Sequence, residues 1–130
     1  MDTKLIQQLG DELFDALHAR KPVVPFTDRY SNITIDDAYN IQQRMIQRRL
    51  DAGEKITGKK IGATSAAVQN MLGVYQPDFG YLLDGMFIEE GQPIPVDEMI
   101  APRAEGEIAF ILKRDLMGPG LTMAEVLRAT

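Results

Sequence analysis

Apolar residues near the amino terminus recur with the spacing of one helical face. Between Lys4 and Arg20 they fall at every fourth position, at Leu5, Leu9, Leu13 and Leu17. Ile6 and Phe14 flank this stripe, which widens it to the apolar face of a helix that packs on a neighbour. The pattern therefore predicts a helix from Lys4 to Arg20 that ends before Pro22 and Pro25.

A second helix is predicted from Thr34 onward. Thr34 is a preferred cap residue, and Asp37 three positions later makes a variant of the capping box. Apolar positions continue the helical spacing at Ala38, Ile41, Met45 and Ile46. The sequence Asp51-Ala52-Gly53 marks the end. The two helices are predicted to pack together, so residues 1–54 form an amino-terminal helical unit.

Beyond residue 55 the helical pattern gives way to short apolar runs divided by Gly and Pro. A helical turn is predicted around Ala66 to Leu72, and turns are predicted at Gln76-Pro77-Asp78-Phe79-Gly80 and Gly118-Pro119-Gly120. The strand candidates are Met86-Phe87-Ile88, Ile94-Pro95-Val96 and Ala104 to Lys113. Residues 55–130 are therefore predicted to form a β-rich second unit.

A final helix is predicted to begin at Thr122, where Glu125 three residues later completes a capping box. The chain ends at Thr130, after about two turns of such a helix at ~3.6 residues per turn. A helix this short depends on tertiary packing. We therefore expect the chain to be the first part of a longer protein.

Composition narrows the class of protein. The chain has 130 residues, of which 45% are hydrophobic and 25% are charged, as in ordinary globular domains. Its net charge of −5 argues against a nucleic-acid-binding surface, which requires clustered basic residues. There is no cysteine, which excludes disulfides and thiolate metal sites. No apolar signal core or membrane-length apolar run is present, so a cytoplasmic location is expected.

Two glutamates lie one residue apart in the run Pro102-Arg103-Ala104-Glu105-Gly106-Glu107-Ile108-Ala109-Phe110-Ile111. On a strand, Glu105 and Glu107 would point to the same face, with their Cα atoms about 6.6–7 Å apart. Two uncompensated carboxylates in a low-dielectric site repel each other unless a cation or a base lies between them. A hard divalent ion is the simplest such cation.

Two locations are possible for this pair of carboxylates. Glu105 and Glu107 could form the solvent face of an edge strand, with the apolar residues of the other face in the core. Against this, Ala109 and Ile111 continue the glutamate face and are apolar, which favours an interior location. Gly106, between the two acids, would let a ligand or another backbone approach closely.

A second candidate cluster lies between residues 58 and 80. The alternation around Lys60 turns this lysine away from Ile61, and Gly58 and Gly62 are small enough to leave space beside it. Lys60 could bind an anionic substrate, or have its pKa lowered by burial, or simply lie on the surface. Asp78 could bond to nearby backbone in its turn or direct its carboxylate into a cavity.

Several separated motifs together resemble one known family. The strings GKKIGATS, NMLGVYQPDFGYLLDGM, PRAEGEIAFIL and DLMGPG occur in the order found in the 2-hydroxypenta-2,4-dienoate hydratases (2-keto-4-pentenoate hydratases) of aromatic meta-cleavage degradation, in the fumarylacetoacetate hydrolase superfamily. The resemblance covers the whole chain. The related 4-oxalocrotonate decarboxylases share part of the pattern, but the Gln76–Gly80 string and the Arg-Ala-Glu-Gly-Glu form favour the hydratases.

This resemblance implies an α+β fold in which amino-terminal helices pack on a partial mixed β-roll, with residues 55–130 as the first part of the roll. It implies a Mg²⁺ or Mn²⁺ ion held by Glu105 and Glu107, with a third carboxylate from beyond the position equivalent to Thr130. Lys60 and Asp78 match the family's active-site lysine and aspartate. The implied reaction converts 2-hydroxypenta-2,4-dienoate to 4-hydroxy-2-oxopentanoate.

Family resemblance also implies a homo-oligomer that acts on a small-molecule dienoate. The charge and composition of the chain predict neither nucleic acid nor membrane as a partner. Two other functions are compatible with the sequence. The chain could be a non-catalytic fragment or interaction module whose strand edges pair with another polypeptide. It could also catalyse decarboxylation of a related 2-oxo acid, as in the 4-oxalocrotonate type.

Overall fold

The computed structural model describes residues 1–130, and its first long element is helix α1, Thr3–Ala19. The Asp2 carboxylate caps this helix by accepting a hydrogen bond from the backbone N–H of Leu5 at 2.8 Å. Arg20 ends it in the left-handed conformation, at φ 54°, two residues before Pro22. The predicted first helix is confirmed to within one residue at each end.

Helix α3, Ile35–Asp51, packs against α1 and confirms the predicted helix pair. Its capping box is complete: Asp37 N–H donates to the Thr34 hydroxyl at 3.1 Å, and Thr34 N–H donates to the Asp37 carboxylate at 3.0 Å. The buried apolar side chains of the pair are Leu9, Ile41 and Ile46. At its edge, Arg44 and Arg48 both donate to Asp11, at 2.8 and 3.0 Å. A one-turn helix, α2, Phe26–Arg29, lies between them in sequence.

The sheet has two antiparallel strands, β1, Ile56–Gly62, and β2, Asp78–Leu83. Helix α4, Ala66–Leu72, connects them and confirms the predicted helical turn. The predicted turn at Gln76–Gly80 is wrong in its second half, because Asp78, Phe79 and Gly80 begin β2. Their backbone groups pair with β1, which satisfies them better than a local turn would.

The three strand candidates after residue 85 are wrong. Met86 closes a 3₁₀ turn, Asp84–Met86, and Val96 opens another, Val96–Glu98. Residues 104–113 form no strand, although they carry the alternating pattern. A strand requires a partner for its ladder of hydrogen bonds, and this segment has none: its one backbone–backbone bond as donor runs from Lys113 N–H to the carbonyl of Ala129, the last residue of a helix, at 2.6 Å.

Helix α5, Met123–Ala129, closes the structure with the predicted capping box between Thr122 and Glu125. Ala129 is fully buried, at 0% exposure. The α+β class is confirmed at the level of helices with a small antiparallel sheet. No helix combines the length and the apolar character needed to span a bilayer.

Candidate active site

The side chains of Lys60, Glu105 and Glu107 meet in one cluster. Lys60 Nζ lies 3.3 Å from Glu105 Oε2 and 3.3 Å from Glu107 Oε1, so it bridges the two carboxylates. Lys60 extends from β1, whereas the glutamates come from irregular chain 45 and 47 positions later. The structure therefore joins two candidates that the sequence had placed in separate motifs, and it supplies the cation expected between two neighbouring acids.

The cluster is open to solvent. The exposed fractions of the side chains are 47% for Lys60, 67% for Glu105 and 62% for Glu107. The expected interior location of the glutamate face is therefore wrong in this chain. Because residues 104–112 pair with no neighbouring strand, their apolar side chains are not drawn into a core, and Ile108 and Ile111 are 86% and 85% exposed.

The environment of Lys60 favours its charged form. Hydrogen bonds to Glu105 and then to Glu107 raise the pKa of Lys60, and the negative charge of the two carboxylates adds to this effect. The possibility that burial lowers the pKa of Lys60 is thus contradicted, because the ammonium is exposed and paired. In this state the Lys60 side chain is a charged ammonium that donates hydrogen bonds to the two glutamates.

Asp78 lies opposite Gly62 in the register of the two strands. Side chains at directly opposed positions share a face, and residues two apart on a strand do as well, so Asp78 and Lys60 lie on the same face of the sheet. A Cβ atom at position 62 would clash with the Asp78 carboxylate. Gly62 therefore makes room for Asp78 rather than for Lys60.

Space beside Lys60 is provided by a different glycine. Gly80 is the register partner of Lys60, and a Cβ atom there would meet nothing within 4 Å. A Cβ atom at position 58, by contrast, would lie in ordinary contact with Leu82, at 3.7 Å. The prediction that Gly58 and Gly62 leave the space beside Lys60 is therefore wrong, because Gly80 is the residue that leaves the opening.

Lys60 and Asp78 both line a groove of about 510 Å³ between α3 and the sheet. Two side chains of α3 hold the start of β2 in place at the wall of this groove. The Tyr39 hydroxyl accepts from Phe79 N–H, and the Gln42 amide donates to the Phe79 carbonyl, each at 3.4 Å. The Tyr39 and Phe79 rings also stack, with their centroids 4.8 Å apart. Neither α3 residue stood out in the sequence, because both fit an ordinary helical pattern.

Glu105 and Glu107 do not line the groove and reach it only through Lys60. The two carboxylates fit a hard divalent ion in chemical type, and their contact with one ammonium shows that they can serve a single cation. Mg²⁺ is often held by one or two carboxylates, with water or substrate in the remaining positions. No group of three or more His, Cys, Asp or Glu residues in the chain could hold a metal ion. We refer to Glu105 and Glu107 as the two-carboxylate site.

Comparison with known proteins gives two kinds of match. By sequence, the chain is 61% identical over 131 residues to a 2-hydroxypent-2,4-dienoate hydratase from Pseudomonas putida, covering 100% of the chain and 59% of that protein. It is 47% identical to a 2-hydroxyhexa-2,4-dienoate hydratase from Comamonas testosteroni, covering 99% of the chain and 50% of the relative. No protein-family model matches the chain.

By structure, the chain resembles a 4-oxalocrotonate decarboxylase from Pseudomonas putida, solved in complex with magnesium and adipate. The TM-score is 0.91 at 29% identity, over 99% of this chain and 49% of that one. The fold is therefore that of about half of this decarboxylase, while the relatives found by sequence are named hydratases. Within this class the predicted resemblance to the 2-hydroxypenta-2,4-dienoate hydratases is confirmed. The chain spans about half the length of the curated relatives it matches.

Proposed function

We propose that this chain carries part of the active site for hydration of 2-hydroxypenta-2,4-dienoate to 4-hydroxy-2-oxopentanoate in aromatic meta-cleavage degradation. The observation that carries the proposal is that Lys60, which lines the groove together with Asp78, contacts both Glu105 and Glu107. The hydratases that the chain matches over its whole length act on this substrate or on a close homologue by name. The substituent-free dienoate is therefore the first substrate to test.

Glu105 and Glu107 would hold the divalent ion, Mg²⁺ or Mn²⁺. Support comes from their shared orientation toward one cation and from the magnesium bound in the structurally similar decarboxylase. When bound, such an ion supplies positive charge that polarises the 2-oxygen of the substrate and stabilises negative charge developing there. The carboxylate of the substrate and its 2-oxygen are hard ligands suited to the open coordination positions.

Lys60 and Asp78 would handle the substrate and its protons from the groove. The dienol loses its 2-hydroxyl proton and gains one at C5, which gives a conjugated 2-oxo-3-enoate. Water then adds across the C3–C4 double bond, with hydroxide at C4 and a proton at C3. Lys60, as a charged donor, would hold or protonate the oxygen end, and Asp78 would shuttle a proton or orient the water.

Turnover of the dienoate tests this proposal. We expect loss of the dienol absorbance and formation of 4-hydroxy-2-oxopentanoate, dependent on Mg²⁺ or Mn²⁺ and absent without protein. Lys60→Met should abolish turnover while leaving the circular dichroism spectrum unchanged. Lys59→Met is the matched control, because Lys59 is the adjacent lysine of β1 and its Nζ instead lies 5.9 Å from the Tyr81 ring centroid.

Two results would count against the proposal, the first against the role of Lys60 and the second against activity of this chain on its own. Full activity of Lys60→Met would remove Lys60 from the site. Absence of turnover in the folded wild-type chain, with each metal supplied, would show that these residues alone do not make a hydratase. In the second case, restoring activity by adding the remaining part of a relative as a separate polypeptide would identify what the site lacks.

The architectural expectations are part of the same proposal. Residues 1–54 would form the helical unit and residues 55–130 the first part of a mixed β-roll, with the two present strands as its beginning. A homo-oligomer would cover apolar side chains that are exposed here, among them Phe87 at 77% and Met117 at 89%. Sedimentation of the purified chain would show whether it associates.

Two alternative functions have specific observations in their favour. The likeness to the decarboxylase favours decarboxylation of a 2-oxo acid of the 4-oxalocrotonate type, which turnover of both substrates side by side would separate. The exposed apolar side chains and the two-carboxylate site favour a non-catalytic interaction module. In that case the folded chain would turn over neither substrate and would bind a second polypeptide.

A further inference from the structure

We propose that the Lys60 ammonium is a tethered cation that occupies the Glu105–Glu107 pair in the metal-free chain, and that a divalent ion binds there by displacing it. This inference rests on the proposed metal site and adds a second role for Lys60. The lysine would be a competitor of the metal as well as a substrate-binding group. The two roles would be used in sequence, because one ammonium cannot serve both partners at once.

The geometry makes Lys60 the direct competitor. Its Nζ lies 3.3 Å from one oxygen of each glutamate, which is where an ion shared by both carboxylates would have to lie. Neither glutamate has another ion pair in the structure, so Lys60 is the sole positive group in contact with them. An ion bound to the same oxygens at about 2.0–2.6 Å would leave no room for the ammonium and would repel it.

The groove offers space for the displaced Lys60 side chain. Lys60 already lines the groove, and Gly80 across the sheet leaves open space beside it. Its side chain is about half exposed, so the move requires no rearrangement of a core. In the groove the ammonium would meet an anionic substrate, whereas on the glutamates it is neutralised by two carboxylates. Metal binding would thus release the positive charge that the substrate needs.

Binding of Mn²⁺, measured from the loss of the free-ion signal in electron paramagnetic resonance, tests this inference without any turnover. We expect Lys60→Met to bind Mn²⁺ about two- to tenfold more tightly than the wild type, the range that one or two exposed ion pairs account for. Lys59→Met removes the same charge from the same strand and should bind as the wild type does. The double variant Glu105→Gln/Glu107→Gln should lose the site.

A second readout follows the lysine itself. Brief labelling with an amine-reactive reagent, quantified by mass spectrometry, should modify Lys60 more rapidly when Mg²⁺ is added, because its ammonium is released from the carboxylates. Labelling of Lys59 should not change. Circular dichroism of each variant confirms that it is folded before its affinity is compared.

The outcomes separate this inference from the function on which it rests. Mn²⁺ binding that requires the glutamates but is equal in wild type and Lys60→Met would overturn the competition and leave the metal site intact. Binding that persists in the double glutamate variant, or is absent from all variants, would overturn the metal site and the competition together. If the wild type does not turn over the dienoate but Lys60→Met still binds Mn²⁺ more tightly than the wild type, the competition is upheld. Only the proposed hydratase activity is then contradicted.

Discussion

The backbone of Gly10 in α1 lies directly against the side chain of Arg44 in α3. A Cβ atom at position 10 would approach the Cβ and Cγ atoms of Arg44 to 2.5 Å and the carbonyl oxygen of Ile41 to 2.9 Å. The helices therefore approach each other closely at a residue that has no side chain. Arg44 is in turn held by its hydrogen bond to Asp11, so it cannot easily move aside.

Replacing Gly10 with alanine should separate the two helices and destabilise the chain. The clash involves a backbone oxygen and the inner atoms of Arg44, so we expect a loss of about 1–2 kcal/mol, after allowing for the better helix propensity of alanine. Urea unfolding followed by circular dichroism measures the change. Gln7→Ala, at an exposed position of the same helix, is the control and should be nearly neutral. An unchanged midpoint for Gly10→Ala would show that the helices can adjust without cost.

Gly62→Ala should disturb the candidate site more than the fold. The added methyl group would displace the Asp78 carboxylate, which is the flexible end of a side chain, so we expect a stability change within about 1 kcal/mol. Misplacement of a reacting group by about 1 Å can lower turnover by up to roughly a hundredfold. Gly58→Ala is the matched control on β1, since its methyl group would only touch Leu82. Equal turnover of the two variants would remove Asp78 from the reaction.

The ion pair of Arg49 with Glu54 should be important for stability. Arg49 is buried, at 8% exposure, and donates twice to Glu54, at 2.7 and 2.5 Å. Glu54→Gln leaves the guanidinium buried with a neutral partner, so we expect a loss of about 1–3 kcal/mol in unfolding free energy. Asp51→Asn, at an exposed position that bonds only to Gln47, should cost much less. Equal losses of unfolding free energy in the two variants would mean that solvent solvates the Arg49 guanidinium when its charged partner is removed.

Asp37 should make stability depend on acid pH. Its hydrogen bond from the Met1 ammonium, followed by those from Thr34, lowers the pKa of Asp37 from its ordinary value of 3.8 to about 2. A lowered pKa in the folded state means that this contribution is complete above about pH 4 and is lost as the pH falls from 4 to 2.

The measurement for Asp37 is a series of urea midpoints between pH 6 and pH 2. The gap between the wild type and Asp37→Asn should be widest near pH 6 and should narrow as the pH falls from 4 to 2. Asp36→Asn changes the neighbouring exposed carboxylate and gives the background effect of removing one charge. If the difference in urea midpoint did not change with pH, Asp37 would stabilise the protein through the packing of its side chain rather than through its charge.

The helices could be predicted because their determinants are local. The leucine spacing, the Thr34–Asp37 box and the Thr122–Glu125 box each fix a helix or its first turn from residues within a few positions of one another. The prediction of a strand from 104 to 113 failed, because alternation describes only one side of a pairing. Whether a strand forms depends on a partner elsewhere, and in this chain β1 pairs with β2 instead.

The same difference between local and distant determinants applies to the candidate site. The sequence identified Lys60, Asp78, Glu105 and Glu107, but not that Lys60 would bridge the glutamates. That contact joins residues more than 40 positions apart and depends on how the irregular segment folds back over β1. The hydrogen bonds of Tyr39 and Gln42 with the backbone of Phe79 could not be predicted either, since they depend on the packing of α3 against the sheet.

The cluster joins two kinds of backbone that hydrogen–deuterium exchange would distinguish. The backbone N–H groups from Ala101 to Leu112 donate to no acceptor within the protein, whereas β1 around Lys60 belongs to the ladder with β2. Amide hydrogens next to Glu105 and Glu107 should therefore exchange at nearly the rate of an unprotected chain, while those of the ladder exchange slowly. A ligand or polypeptide that orders residues 101–112 would then be detected as slower exchange confined to these amides.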